Sequence, residues 1–264
     1  MQQYKKEFDA IMKVKSEPNQ HEKMLVERAQ KYIRKLSWIP GIEMIAVGNS
    51  LSMFATHADS DIDLFIITKP HHIWLVRFLV TFVFWILGVW RHGEDIAGNF
   101  CLSFFITTEA MNLEKIVIKN DIYLYNWIYY LKPILVRNNT YEAFLEENSW
   151  VNIPEEQKKK NLFFVISKGN EEIPFFSTYE NYIPKSLKMN LKGIPHGMTE
   201  PKTSSIYIAL NKLVRFFFLP RTMRSYKKLG QPEGVIISED MLKFHDADRR
   251  KEVRDRILEK NFDK

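Results

Sequence analysis

Apolar residues recur at helical spacing through the first part of the chain, then give way to short unbroken apolar runs. That change of period marks where helices end and buried strands begin. Two amphipathic helices are expected first, one ending near Lys15 and one running from Ser16-Glu17-Pro18 to about Leu36, with Ser16 as N-cap and Pro18 in the first turn. The run IEMIAV at 42–47 is closed by Gly48-Asn49-Ser50, which predicts a buried strand entering a tight turn. Residues 51–56 are read as one or two helical turns, 61–68 (DIDLFIIT) as a second strand stopped by Lys69-Pro70, and 100–107 (FCLSFFIT) as a third. Helical patterns follow over 121–131 and 140–148. From 151 to about 201 the pattern loosens, which predicts a boundary or long connection. Beyond it come a basic helix over 204–228, a short strand at 235–238 and a charged helix from about Asp248.

The stretch 73–90 (IWLVRFLVTFVFWILGVW) carries one charge, Arg77. A bilayer core takes about 20 apolar residues, so length alone allows a span. Arg77 sits five residues in, where lipid burial would cost a few kcal/mol, and the segment lies between two strands expected in one sheet. A buried crossover helix is therefore expected, with a membrane-associated helix as the rival. Trp74, Trp85, Trp90, Trp127 and Trp150 are read as core aromatics.

Composition narrows the picture in three ways. With 264 residues, 45% of them hydrophobic, the chain can bury a sizeable core. A single cysteine, Cys101, excludes an intramolecular disulfide framework and a cysteine cluster for zinc; it is read as a small buried hydrophobe, and a cytoplasmic setting is expected. The first residues lack the apolar stretch of a secretory signal, which agrees with that setting. The net charge of +6 is uneven: residues 1–150 hold 16 Lys+Arg against 17 Asp+Glu, and residues 151–264 hold 22 against 15. The C-terminal bias suits polyanions such as RNA or nucleotides, or simply a solvated face.

Candidate chemistry lies in the second strand. Successive strand side chains point to opposite faces, so Asp61 and Asp63 share one side while Ile62 and Leu64 enter the core. Two carboxylates about 7 Å apart along a strand and aimed at one volume repel each other unless a cation lies between them, and Mg²⁺ prefers such oxygen ligands. Upstream, the backbone N–H groups of the Gly48-Asn49-Ser50 turn and the Ser50 hydroxyl can hold an anionic phosphate tail.

The segment VGNSLSMFATHADSDIDLFIIT resembles the nucleotidyltransferase signature of the polymerase-beta superfamily. Gly48 and Ser50 match its phosphate loop, with Asn49 inserted between them, and Asp61-Ile62-Asp63-Leu64 matches its metal-binding strand. The resemblance covers about residues 40–107. It implies an α/β (α+β) fold with a short mixed sheet flanked by helices and a mostly helical C-terminal part. It also implies two Mg²⁺ ions at Asp61 and Asp63, and transfer of a nucleoside monophosphate from an NTP to an acceptor, with pyrophosphate leaving. The acceptor, whether small molecule, protein or RNA end, stays open. The chain then divides into N-terminal helices (1–38), a nucleotidyltransferase domain (39–150) and a basic, mainly helical C-terminal region (151–264).

One departure bears on turnover. Family members usually carry a third carboxylate on the next strand, where FCLSFFIT offers Ser103. Glu94, Asp95, Asp246 and Asp248 are the candidate substitutes. Otherwise the site binds nucleotide without efficient transfer, as a regulatory module would. The cluster Lys243–Arg250 is read as a charged helix start with Asp246 or Asp248 as N-cap; folded back onto the sheet, it would bring Arg249 or Arg250 to a phosphate and His245 to a basic role. Basic residues interleaved with aromatics over 204–228 are read as a helix with an aromatic core face and exposed cations. Binding to nucleic acid through this region stays open, and a membrane partner is not expected.

Overall fold

The computed structural model describes residues 1–93, 95–162, 165, 167–168, 171–172, 205–245 and 248–262. Helices α1 (Lys5–Met12) and α2 (Gln20–Arg34) open the chain. The cap of α2 is Asn19, not Ser16: its side chain accepts from the Glu22 N–H and its own N–H donates to the Glu22 carboxylate, both at 2.9 Å. This reciprocal pair satisfies two otherwise orphaned donors, which Ser16 lies too far upstream to do. Glu22 is fully buried and also receives Lys15 at 2.7 Å and the Thr56 N–H at 3.2 Å, so the helix start is tied to the loop that precedes the acidic strand.

The fold is mixed α/β. One sheet runs in the order β6-β5-β4-β1-β2-β3-β8-β7. Its strands are β1 (Ile42–Val47), β2 (Ile62–Thr68), β3 (Phe100–Thr107), β4 (Lys132–Val136), the two-residue β5 (Ser167–Lys168) and β6 (Glu171–Glu172), β7 (Val235–Ile237) and β8 (Met241–Phe244). β1 is antiparallel to both β2 and β4, whereas β2 and β3 are parallel. Parallel neighbours need a crossover, and α4 (Ile73–Ile86) supplies it. Among the described residues no helix is long and apolar enough to cross a membrane.

Alternation along the central strands divides the core. Ile45, Val47, Leu64, Ile66 and Phe105 pack on one face with α2 and α4. Met44, Ala46, Phe65, Ile67, Phe104 and Ile106 pack on the other with α5 (Ile122–Tyr130) and α6 (Thr140–Glu147). Burial on both faces explains why β1, β2 and β3 read as apolar runs and not as alternating patterns. The remaining helices are the four-residue α3 (Asn49–Ser52), α7 (Glu155–Leu162), α8 (Ser205–Lys228) and α9 (Arg250–Phe262).

The C-terminal part is mostly helical, but β8 pairs antiparallel with β3 and places the hairpin β7–β8 in the same sheet as the acidic strand. Two expectations change. Trp85 is 62% exposed and so no core residue, while Trp74 and Trp127 are buried. The aromatics of α8 are largely outside too, with Phe216 72% and Phe217 65% exposed, because the helix rests on α4 through its opposite side, where Asn211 is buried.

Candidate active site

Asp61 and Asp63 flank Ile62 at the start of β2, with Ile62 fully buried between them. Their carboxylates and the Cys101 sulfur lie within 4.8 Å of one another, a cluster that could hold a metal ion. Cys101 enters this group because the β2–β3 register shifts. Phe65 is opposite Phe104, but Asp63 is opposite Cys101, so three residues of β3 cover what two residues of β2 cover. Even pairing would have set Leu102 beside Asp63; the bulge turns Cys101 there instead. Cys101 is only partly buried and belongs to the acidic cluster, where the sequence suggested a plain core residue.

The charges of the cluster are not left bare. Arg91 Nη1 donates to Asp61 Oδ2 at 2.6 Å and contacts Cys101 Sγ at 3.5 Å. Among the described residues Asp63 makes no such ion pair, and Arg91 acts on it from farther off. Burial, and then repulsion from Asp61, push its carboxyl up to about 6, against hydrogen bonds from Asn49 and Cys101 that favour the charged form. Burial and the nearby Asp63 push the Cys101 thiol up to about 12, so it stays protonated at neutral pH. A protonated thiol is a weak ligand for a hard ion, and the two carboxylates are the groups that fit a divalent cation.

The turn after β1 is built against this cluster. Gly48 donates its N–H to the Asp63 carbonyl at 3.0 Å, so that N–H serves the sheet. A Cβ on Gly48 would come within 2.9 Å of Trp127 Nε1, so glycine is needed for the close approach of α5. Asn49 adopts a positive φ of 49°, a conformation Asn tolerates better than most residues. Its side chain accepts from the Tyr123 hydroxyl at 3.2 Å and hydrogen-bonds Asp63, and thereby holds that carboxylate in place.

A cavity of about 250 Å³ opens beside Asp63, lined also by Asn49, Ser50, Tyr123, His245 and Arg249. The structure thus brings Asn49, Ser50 and Asp63 to one space, with Gly48 packed against Trp127 next to it. The C-terminal cluster does fold back onto the sheet. Ser103, hydrogen-bonded to Cys101 of the acidic cluster, meets His245 Nε2 at 3.1 Å.

Among the described residues none of the candidate third carboxylates enters the cluster of Asp61, Asp63 and Cys101, although Asp248 lines the same cavity as Asp63. Asp248 faces Lys243 at 3.2 Å and Arg250 at 2.8 Å. Burial opposes its charge, but these cations hold it far below the usual carboxylate range. Arg250 is further engaged by Asp121 at 3.1 Å. Asp95 is exposed, and Glu94 and Asp246 lie outside the described residues. Arg249 differs from Arg250: its ion pair is with Glu252, at 3.6 Å and mostly exposed, so its guanidinium can turn to an anion in the cavity. Sequence reasoning missed Arg91 and Tyr123 because both reach the cluster from loops and helices distant in sequence. The bulge that delivers Cys101 has no glycine or proline to announce it.

No family model matches the chain, and neither the curated proteins nor the solved structures include a match.

Proposed function

We propose that the protein is a metal-dependent nucleotidyltransferase that moves a nucleoside monophosphate from an NTP to an acceptor and releases pyrophosphate. The reading rests on one observation: the paired carboxylates Asp61 and Asp63 stand beside a cavity whose other walls carry the Asn49-Ser50 turn and Arg249. The residues present fit a divalent ion, with Asp61 and Asp63 as its carboxylate ligands; Mg²⁺ is the ion in this reading, a second one drawing on phosphate oxygens of the nucleotide. Bound there, Mg²⁺ would neutralise triphosphate charge and favour loss of pyrophosphate.

The chain's own residues account for the rest. Ser50 and Arg249 hold the phosphate tail, and the Asn49–Tyr123 pair fixes the Asp63 carboxylate. An acceptor oxygen bonds to the α-phosphorus as the bond to the pyrophosphate oxygen breaks. The acceptor's proton passes to a base in the cavity, for which His245 is the candidate.

A second reading, a nucleotide-binding module with little turnover, is favoured by Cys101 in place of a third acid and by Arg91 on Asp61. Calorimetric titration of ATP, GTP, CTP and UTP with and without Mg²⁺ tests what both readings share. Binding that needs Mg²⁺ and is lost in Asp61→Asn/Asp63→Asn supports them; binding indifferent to both removes them together.

A further inference from the structure

We propose that the outer face of α8 docks on an anionic phospholipid membrane and lies in the interface without crossing it. Ile206, Leu210, Leu213 and Phe217 follow one another at spacings of four, three and four, which places them in one row along the helix. They are 68%, 40%, 53% and 65% exposed. The helix therefore carries an apolar row that its packing on α4 leaves uncovered, where a solvated helix would be polar. On the α4 side the apolar surface continues as an aromatic ladder: Phe218 to Phe78 at 5.4 Å, Phe78 to Phe82 at 6.0 Å and Phe82 to Trp85 at 6.2 Å between ring centroids.

Charge decides the occupant. α8 carries Lys212, Arg215, Arg221, Arg224, Lys227 and Lys228 and no acidic residue. Arg215 pairs with Glu239, and the other five make no ion pair among the described residues. Four of those five follow the apolar row in the last third of the helix. Long cationic side chains beyond an aliphatic and aromatic row suit a lipid surface, where acyl chains take the row and headgroup phosphates take the cations. An RNA would use the cations and the rings but would leave Ile206, Leu210 and Leu213 without a partner. The docking surface is separate from the Asp61–Asp63 cavity, so it stands whether or not the nucleotidyltransferase reading does.

Flotation of the full chain tests it, with vesicles of phosphatidylcholine alone and of phosphatidylcholine mixed with phosphatidylglycerol. The expected result is flotation with the anionic vesicles only. Both Leu213→Ser/Phe217→Ser and Arg224→Glu/Lys227→Glu should weaken it by about tenfold or more. Circular dichroism and melting should be unchanged in both variants, because the four side chains are exposed. Absence of flotation overturns the proposal, as does anionic binding that only the charge variant weakens, which would mark plain electrostatic adhesion. A dimer in analytical ultracentrifugation that Leu213→Ser/Phe217→Ser dissolves, without flotation, would assign the face to a second copy and overturn it as well.

Discussion

Cys101 stands opposite Asp63 in the parallel ladder of β2 and β3, and its sulfur lies within 4.8 Å of the Asp61 and Asp63 carboxylates. A thiol held protonated beside two carboxylates leaves the cluster one negative charge short. Cys101→Asp should therefore bind Mg²⁺ about tenfold more tightly or better, since unit charges about 4 Å apart in a partly buried site interact by about 4 kcal/mol. The same change should lower the melting temperature without Mg²⁺, through repulsion among three acids, and raise it with Mg²⁺. Thermal unfolding across an Mg²⁺ series reads both effects, and a variant indifferent to Mg²⁺ would contradict the proposed role of the cluster.

Arg91 competes with any cation for Asp61. Its side chain is 41% exposed, so the ion pair is partly screened and Arg91→Ala should change stability by no more than about 1 kcal/mol. Divalent affinity should rise severalfold in the same variant. Calorimetry with Mg²⁺ and Mn²⁺ checks it; weaker binding would mean that Arg91 positions Asp61 for the ion.

Gly48→Ala sets a methyl against the buried ring of Trp127. The backbone φ of Gly48, −114°, is open to any residue, so the penalty is one of space alone. Overpacking of this kind costs about 1–3 kcal/mol, and the shift should also displace Asn49 and Ser50. Denaturant unfolding should show the loss, and nucleotide titration should show weaker binding. A stable variant with unaltered binding would show that α3 and α5 are not tightly coupled.

Lys132 gives stability a pH dependence. Its ammonium donates to the Ser52 carbonyl and lies 4.5 Å from the centre of the Phe54 ring, and burial lowers its pKa from 10.5 to about 7. The unfolded chain then holds more protons than the folded one between about pH 7 and 10.5. Stability from this group is accordingly complete above that window and is lost as pH falls through it. Lys132→Met should flatten the slope, measured as unfolding free energy at several pH values.

Much of this arrangement is legible in the residues themselves. The runs 42–47, 61–68 and 100–107 mark the three central strands because a sheet covered on both faces needs unbroken apolar sequence. The crossover helix follows from the segment's place between two strands. What the sequence hides are pairings between distant segments. β4 and β8 escape notice because Lys132-Pro133 and Lys243 interrupt short runs, and both buried lysines meet their partners only in the finished fold: Lys132 the Ser52 carbonyl and the Phe54 ring, Lys243 the Gly234 carbonyl and Asp248. Phe216 and Phe217 mislead in the opposite sense: they look like core, and the fold leaves them outside.

Turnover at Asp61 and Asp63 separates a transferase from a nucleotide-binding module. The direct measurement is pyrophosphate release from each NTP with Mg²⁺ and a mixed pool of small-molecule, protein and RNA acceptors, comparing wild type with Asp61→Asn/Asp63→Asn. A transferase should give release with at least one NTP, abolished in the double variant while its circular dichroism stays native. Release that survives the double variant, or no release from the wild type with any NTP, would contradict the transferase reading.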